Sequence, residues 1–242
     1  MDPRGTRRDG PDVSLELLDL GATALGPLLE EVVFVGGASV VLWITDPAAS
    51  PPRPTKDVDV IVEVTGLWGY EQFSKRLRAQ GFAEDVESRV ICRWRHARLD
   101  LMLDAMPTDP AILGFSNRWQ APALPHAVEC RLPSDAVIRA ITPPYLLATK
   151  LEAFADRGGD DLLGSHDFED VISLVDGRAA LVEEVRASSG ELRDYLAQQI
   201  GALQTIPRFH EWVGASLRPD AANQARAKAI VLPRLEEIID SA

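Results

Sequence analysis

The stretch PPRPTKDVDVIVEV, residues 51–64, places two acidic residues at the head of a run that otherwise reads as a buried strand. The run is β-branched and follows a proline-rich segment, a pattern that predicts a β-strand. Because side chains alternate across a strand, Asp57 and Asp59 share one face, and the interleaved valines share the other. Two carboxylates on one face need a partner that offsets their charge.

Composition limits what this partner can be. The chain has 242 residues, of which 46% are hydrophobic, so it can bury one large core or two modest ones. It shows neither an apolar run of the roughly 20 residues that a membrane span needs nor the hydrophobic stretch of a signal peptide, which predicts a cytoplasmic protein with no membrane partner. Cys92 and Cys130 lie far apart and outside any Cys/His cluster, so neither a disulfide framework nor a zinc site is indicated.

The charge balance bears on nucleic-acid binding. A formal net charge of −12 argues against broad electrostatic binding, because phosphate contacts need clustered lysine and arginine. One short segment is an exception in composition and could form either a local basic face or an ordinary solvated surface. Its basic residues are Lys75, Arg76, Arg78, Arg89, Arg93, Arg95 and Arg98.

The order of predicted elements indicates an α/β (α+β) fold, a small mixed β-sheet flanked by helices. A strand at 32–35 is followed by two glycines and a helix start, and a helix at 69–80 follows the DVDVIV strand. RVICRW and RLDLML are predicted to form a hairpin, and AVECRL and AVIRAI are two further strand candidates.

The character of the chain changes near residue 142. Pro143 and Pro144 can open a helix, since proline is tolerated in the first turn, and the sequence beyond them is helical in period. We therefore predict a disordered tail at 1–12, an α/β core at 13–142 and a helical C-terminal domain at 143–242.

A third acidic residue interrupts the apolar pattern of RLDLML. If this strand neighbours the DVDVIV strand, Asp100 converges with Asp57 and Asp59 at one edge of the sheet. Three like charges held together favour a bound cation, and a set of oxygen ligands selects Mg²⁺ or Mn²⁺. The sequence thus predicts a metal as the partner of the two aspartates.

Gly36 and Gly37 would supply the second half of such a site. Glycines let a phosphate approach the backbone, and the start of the next helix presents free N–H groups. Ser39 can add a hydroxyl group. The sequence therefore predicts a phosphate-binding turn after the first strand.

Taken together, these segments resemble a known family. VGGASVVLWI, RPTKDVDVIV and RLDLML resemble the signature of the DNA polymerase β-like nucleotidyltransferase superfamily. Within it, Arg53, Thr55, Asp57 and Asp59 resemble the R-x-T-x-D-x-D run of the AbiEii-type nucleotidyltransferases, which include toxins of toxin–antitoxin and phage-abortive systems. TPPYLLATKLEAFADR followed by SHDFEDVISLV resembles the helical motif of that family, and the resemblance covers roughly residues 32–175.

The resemblance implies a role for each matching residue in transferring a nucleoside monophosphate from an NTP to an acceptor hydroxyl. By this resemblance, the ligands of Mg²⁺ or Mn²⁺ would be Asp57, Asp59 and Asp100. Asp100 could also accept the proton of the acceptor hydroxyl. Asp167 follows a predicted N-cap, where an acid stabilises a helix whether or not it does chemistry. The implied catalytic set is Asp57, Asp59, Asp100, Lys150 and Asp167, and the implied nucleotide-binding set is Gly36, Gly37, Ser39, Arg53, Thr55, Lys150 and Asp170.

The acceptor stays open between two chemical classes. The resemblance suggests a tRNA 3′ end, as in toxins of this family, with a cognate antitoxin as a further partner. The same catalytic core also serves aminoglycoside and lincosamide nucleotidylation, in which the acceptor is a small cationic molecule. A third alternative is a non-catalytic protein that binds a nucleotide or a partner protein through this fold.

Overall fold

The computed structural model of the chain describes residues 13–64, 66–114, 116–157, 162 and 164–242. The tail predicted at 1–12 lies outside these residues. A mixed sheet of seven strands with helices packed around it confirms the predicted α/β class. The strands are β1 Val32–Val35, β2 Asp57–Val62, β3 Phe82–Glu84, β4 Arg93–His96, β5 Met102–Pro107, β6 Val128–Arg131 and β7 Val137–Ala140.

Helices precede, connect and follow these strands. Within the described residues, short 3₁₀ segments at Gly26–Glu31, Val40–Trp43 and Leu124–His126 and a π segment at Ala227–Val231 join some of them. The α-helices are α1 Val13–Leu25, α2 Gly36–Ser39, α3 Gly66–Ala79, α4 Pro110–Leu113, α5 Gln120–Ala123, α6 Pro143–Asp156, α7 His166–Gly177, α8 Leu181–Arg186, α9 Gly190–Gln204, α10 Phe209–Ala215, α11 Ala221–Arg226 and α12 Leu232–Ile239. Within the described residues, no helix has both the length and the apolar character that crossing a bilayer requires.

The DVDVIV strand lies in the middle of the sheet, whose strand order is β3-β4-β5-β2-β1-β7-β6. β2 pairs with β1 in antiparallel orientation and with β5 in parallel orientation. Its valines are fully buried, whereas Asp57 and Asp59 keep partial exposure on the opposite face. The predicted alternation of faces is therefore observed.

The predicted hairpin is present but shifted toward the C-terminus. We expected strands in RVICRW and RLDLML, and the structure instead pairs β4 with β5. The Nδ1 atom of His96 accepts hydrogen bonds from the backbone N–H groups of Arg98 and Leu99, which builds the connection there. As a result, β5 begins only at Met102 and continues through Asp104 to Pro107.

A single apolar core extends from α1 to α12. It includes Phe34 and Val60 of the sheet together with Leu147 of α6, Leu196 of α9 and Ile238 of α12, all of which are fully buried. In the described part of the chain, no strand follows β7, which ends at Ala140. The division into two domains at residue 142 stays a prediction.

The proline-rich loop before β2, residues 44–56, is tied to the C-terminal helices. The backbone N–H groups of Thr45 and Asp46 donate to the carbonyl oxygen of Gly177 at 2.9 and 3.0 Å. Arg226 bridges Asp46 and Asp176 with nitrogen–oxygen distances of 2.7 and 2.9 Å. The loop that leads into the two aspartates is thereby held against α7 and α11.

Candidate active site

A cleft of about 640 Å³ opens between the sheet and the facing helices α6 and α7. One wall carries Asp57 and Asp59 from β2 and the glycine turn after β1. The opposite wall carries Lys150 from α6 and Asp167 from α7. The strand and helix motifs, which lie more than 90 residues apart in the sequence (150 − 57 = 93), thus face each other across one space.

The third carboxylate of the cleft is Asp104, and the expectation for Asp100 is corrected. In the parallel pairing of β2 with β5, Asp59 lies opposite Asp104. Asp104 is buried and lines the cleft, whereas Asp100 lies exposed in the segment before β5. In the sequence, the apolar pattern of RLDLML ends at Leu103, and the aspartate that follows, Asp104, is therefore expected to lie beyond the end of the strand.

Arg93 on β4 joins two of the three carboxylates. It lies opposite Asp104 in the antiparallel pairing of β4 with β5. Its Nε and Nη2 atoms donate to the two carboxylate oxygens of Asp104, each at 2.8 Å, and Nη2 also donates to Oδ2 of Asp57 at 2.6 Å. Arg93 is therefore a site residue that the sequence indicated only as a member of the basic segment between residues 75 and 98.

Asp59 carries a strongly perturbed carboxyl group. Its side chain is partly accessible from the cleft but lies deep within the protein. The pKa of Asp59 is raised from 3.8 to about 7, mainly by burial and also by the charges of Asp57 and Asp104, against the opposing effects of Lys150 and Arg93. The pocket thus favours an added positive charge, as expected of carboxylates that bind a divalent cation.

The carboxylates have the oxygen chemistry that Mg²⁺ prefers, but two of them are engaged by Arg93. Among the described residues, no group of three acidic, histidine or cysteine side chains is arranged to hold a metal ion. The chemistry of the donors fits a divalent cation, and Asp57, Asp59 and Asp104 are the residues that would hold it, although in this structure the side chains of Asp57 and Asp104 are arranged around Arg93.

In the turn after β1, neither Gly36 nor Gly37 could carry a Cβ atom without crowding a side chain of the site. Gly36 has a φ of 77°, and a Cβ atom there would lie only 1.9 Å from Oδ2 of Asp59. A Cβ atom on Gly37 would lie 2.9 Å from Nη2 of Arg53 and 3.4 Å from Oδ2 of Asp170. Both glycines line the cleft, and both leave room for side chains of the site itself.

Ser39 does not reach the cleft, which corrects its predicted contact with phosphate. Its side chain is fully buried, and its hydroxyl donates to the carbonyl oxygen of Gly36 at 2.8 Å. This hydrogen bond stabilises the turn, so the hydroxyl has a local role that a motif cannot distinguish from ligand binding.

Lys150 forms the centre of a buried charge network. Its Nζ atom lies 2.7 Å from Oδ2 of Asp170 and 3.2 Å from Oδ1 of Asp167. Burial acts to lower the pKa of Lys150, but the carboxylates of Asp170, Asp167 and Asp59 more than offset this effect and raise it. Lys150 is therefore held in its charged form beside the cleft.

Asp170 supports the site from behind, contrary to the expectation that it contacts a nucleotide. It is fully buried and does not line the cleft. Arg53 lies against it, with Nε 3.0 Å from Oδ1 and Nη2 donating to Oδ2 at 3.1 Å. Asp170 thus links the loop before β2 to Lys150 on α6.

Two further predicted residues line the cleft in defined arrangements. Thr55 donates its hydroxyl to Oδ1 of Asp57 at 2.8 Å and so orients that carboxylate. Asp167 follows Ser165, whose hydroxyl caps α7 by accepting from the N–H group of Phe168. Asp167 also pairs with Arg157, an exposed residue at the mouth of the cleft.

Four arginines of the basic segment pair with carboxylates. Arg76 pairs with Glu31, Arg78 with Glu84, and Arg95 with Asp85, while Arg93 is occupied in the cleft. These pairs neutralise much of the charge that the sequence placed between residues 75 and 98.

The cleft also contains the side chain of Cys92, which is buried. Burial raises the pKa of the Cys92 thiol to about 12, and the charges of Asp104 and Asp59 contribute to the increase. Because the thiolate is the reactive form, Cys92 is unsuited to act as a nucleophile.

Comparison with known proteins agrees with this geometry. No curated protein matches the chain significantly. A family model described as "Nucleotidyl transferase AbiEii toxin, Type IV TA system" matches residues 19–228, which include both walls of the cleft. The chain belongs to the AbiEii family of nucleotidyl transferase toxins.

Proposed function

We propose that this protein is a Mg²⁺-dependent nucleotidyltransferase that moves a nucleoside monophosphate from an NTP to an acceptor hydroxyl and releases pyrophosphate. One observation carries the proposal: Asp57, Asp59 and Asp104 face Lys150 across a single cleft. Carboxylates beside a buried, charged lysine can accommodate a metal and a triphosphate together. Membership of the family supports nucleotidyl transfer as the reaction.

The three carboxylates would hold Mg²⁺ or Mn²⁺. When bound, the ion would offset charge on the phosphates and lower the pKa of the acceptor hydroxyl. Thr55 keeps Asp57 oriented through its 2.8 Å hydrogen bond. Asp104 takes the role first assigned to Asp100, completing the carboxylate set and accepting the acceptor proton.

The remaining residues bind and orient the substrates. Gly36 and Gly37 leave the floor of the cleft open beside the carboxylates, where the β- and γ-phosphates would lie. Lys150 offsets charge on the leaving pyrophosphate, and Arg53 contributes positive charge at the same wall. Asp167, at the mouth with Arg157, positions the acceptor or the nucleotide.

For the acceptor we propose the 3′ end of a tRNA, with a cognate antitoxin as a partner and the cytoplasm as the location. The match to a toxin of a type IV toxin–antitoxin system supports the antitoxin partner, and the tRNA and the cytoplasm are what the sequence resemblance implies. A small cationic acceptor, such as an aminoglycoside, is the second candidate. The observation in its favour is the pairing of Arg76, Arg78 and Arg95 with carboxylates, which removes charge that an RNA backbone would contact.

The test is a transfer assay with each α-³²P-labelled NTP, Mg²⁺ and either total tRNA or an aminoglycoside panel. We expect label on tRNA in the presence of Mg²⁺, and none with Asp57→Asn. Label on an aminoglycoside alone would replace tRNA by the second candidate. Nucleotide binding without transfer to any acceptor would favour the non-catalytic alternative and contradict the proposed reaction.

A further inference from the structure

The guanidinium group of Arg93 lies between two carboxylates that would hold the metal. It makes three hydrogen bonds of 2.6 to 2.8 Å, two to Asp104 and one to Asp57. The side chain is only 18% exposed, so these contacts are largely shielded from water. Charge-assisted and bidentate hydrogen bonds of this kind are the strong ones in proteins.

The backbone fixes this arrangement. β4 and β5 pair in a register that sets Arg93 directly opposite Asp104. The other oxygen of Asp57, Oδ1, accepts from Thr55 at 2.8 Å. All four carboxylate oxygens of Asp57 and Asp104 therefore accept a hydrogen bond, and a cation that approaches both carboxylates meets the guanidinium group between them.

We propose that Arg93 is a tethered counter-cation that occupies the place of the divalent metal until the metal displaces it. This inference rests on the proposed function, because it concerns the same carboxylates. The guanidinium stabilises the carboxylate cluster in metal-free protein and lowers its apparent affinity for metal. Once displaced, the side chain is free beside the cleft, where its positive charge can contact an anionic substrate.

The geometry makes displacement a local event. Arg93 is long and unbranched, so rotation about its side-chain bonds moves the guanidinium without changing β4. The carboxylates, by contrast, are fixed to two strands that pair over the whole length of β2. The mobile partner is therefore the arginine, and the fixed partners are the ligands.

Metal binding without substrate tests this inference directly. We would titrate Mn²⁺ into wild type, Arg93→Gln, Arg93→Lys and Arg95→Gln and follow free Mn²⁺ by electron paramagnetic resonance. Arg95 is the matched control, because it lies two residues along the same strand but pairs with Asp85. We expect Arg93→Gln to bind Mn²⁺ about tenfold more tightly or better, since charged hydrogen bonds no longer compete, and Arg95→Gln to match wild type.

A second readout separates displacement from simple charge repulsion. In wild type, the ¹⁵N-labelled Nε–H group of Arg93, assigned by its loss in Arg93→Lys, should be protected from solvent exchange without metal. Saturating Mg²⁺ should shift this signal and accelerate its exchange. This experiment observes the unaltered protein and needs only the conservative variant Arg93→Lys for assignment, so it remains decisive if Arg93→Gln fails to fold.

The outcomes distinguish the inference from the proposed function. Equal Mn²⁺ affinity of wild type and Arg93→Gln, or an Nε–H signal that stays protected at saturating Mg²⁺, would overturn the role of Arg93 and leave the metal site standing. Absence of Mn²⁺ binding in every variant would instead contradict the metal-dependent function, and the inference with it.

Discussion

At the scale of single residues, the choice between Asp100 and Asp104 decides which carboxylate completes the site. Asp104 faces Asp59 across paired strands, whereas Asp100 is exposed before β5. We expect Asp104→Asn to reduce nucleotidyl transfer by at least about 100-fold. Replacing a residue that only hydrogen-bonds to a metal ligand already costs about 10- to 100-fold in metal affinity or activity, and Asp104 would be a ligand itself. Asp100→Asn should leave kcat/KM within about twofold of wild type. Steady-state kinetics of both variants measure this, and a severe loss in Asp100→Asn would reinstate it.

Asp59 gives the metal-free protein a defined pH dependence. Its pKa is about 7 in the folded protein, against an ordinary value of 3.8. Between pH 3.8 and about pH 7, Asp59 is therefore protonated in the folded state and ionised in the unfolded state. The free energy of unfolding contributed by Asp59 is therefore fully present below about pH 4 and falls by roughly 1 kcal/mol per pH unit up to about pH 7.

Denaturant unfolding in EDTA from pH 4 to 8 would measure this contribution. We expect the decrease in wild type and a flatter profile in Asp59→Asn, which keeps the shape of the side chain without its charge. Asp100→Asn, with its exposed carboxylate, serves as the control and should follow wild type. Parallel profiles for wild type and Asp59→Asn would show that Asp59 is not the perturbed group.

The sequence could predict those residues whose role follows from local pattern. Asp57 and Asp59 follow from strand alternation, and the capping Ser165 follows from helix-start rules. Arg93 could not be identified in this way, because its partners depend on which strands pair and in what register. Ser39 was predicted from its motif but has another role. A hydroxyl beside a glycine turn can hydrogen-bond either to the turn or to a ligand, and Ser39 hydrogen-bonds to the turn.

At the scale of elements, the turn between β1 and α2 couples backbone shape to the carboxylates. Gly36 and Gly114 both have a φ of 77°. A Cβ atom added at Gly36 would collide with the side chain of Asp59, whereas a Cβ atom added at Gly114 would meet nothing within 4 Å. Alanine at either position should cost about 1–2 kcal/mol for the left-handed backbone. Gly36→Ala should additionally displace Asp59 and reduce kcat by about 100-fold, as expected for a shift of about 1 Å at a reacting group.

Thermal unfolding and transfer kinetics on this matched pair separate strain from displacement. Equal activity of the two variants would mean that Asp59 tolerates displacement by the added methyl group. The sequence predicted the turn but gave it a role in phosphate approach alone. The contact with Asp59 becomes visible only when β1 and β2 are paired, with Val35 opposite Asp59.

The shift of β5 by several residues has a similar origin at this scale. A strand with neighbours on both sides can carry an aspartate in its interior when a cross-strand arginine compensates the charge, as Arg93 does for Asp104. Alternation and turn propensity do not contain this information. Tertiary pairing therefore decided where the strand ends, and with it the identity of the third carboxylate.

At the scale of the whole molecule, Arg226 connects the C-terminal helices to the loop before β2. It pairs with Asp176, whose side chain is 2% exposed, and with Asp46 on the loop. Arg226→Met would leave Asp176 without this cation, and we expect it to lower the free energy of unfolding by about 3–5 kcal/mol. The loosened loop carries Arg53 and Thr55, so KM for the NTP should rise as well.

Arg186→Met is the control for this prediction, because Arg186 pairs with Glu183 and Glu237 at the surface. Exposed pairs contribute little, so its effect should stay below about 1 kcal/mol. Chemical denaturation of both variants provides the comparison. Similar small losses in the two would show that the link through Arg226 does not hold the loop.

The link between the loop at 44–56 and Arg226 also sets when the cleft can first exist during synthesis. Asp57 leaves the ribosome early, Lys150 and Asp170 much later, and the residue that secures the loop later still. At about 5–20 residues per second, the 169 residues from Asp57 to Arg226 (226 − 57 = 169) require on the order of ten seconds. The loop before β2 therefore cannot be secured by Arg226 until this interval has passed, and transfer by a fully assembled cleft would begin only after it.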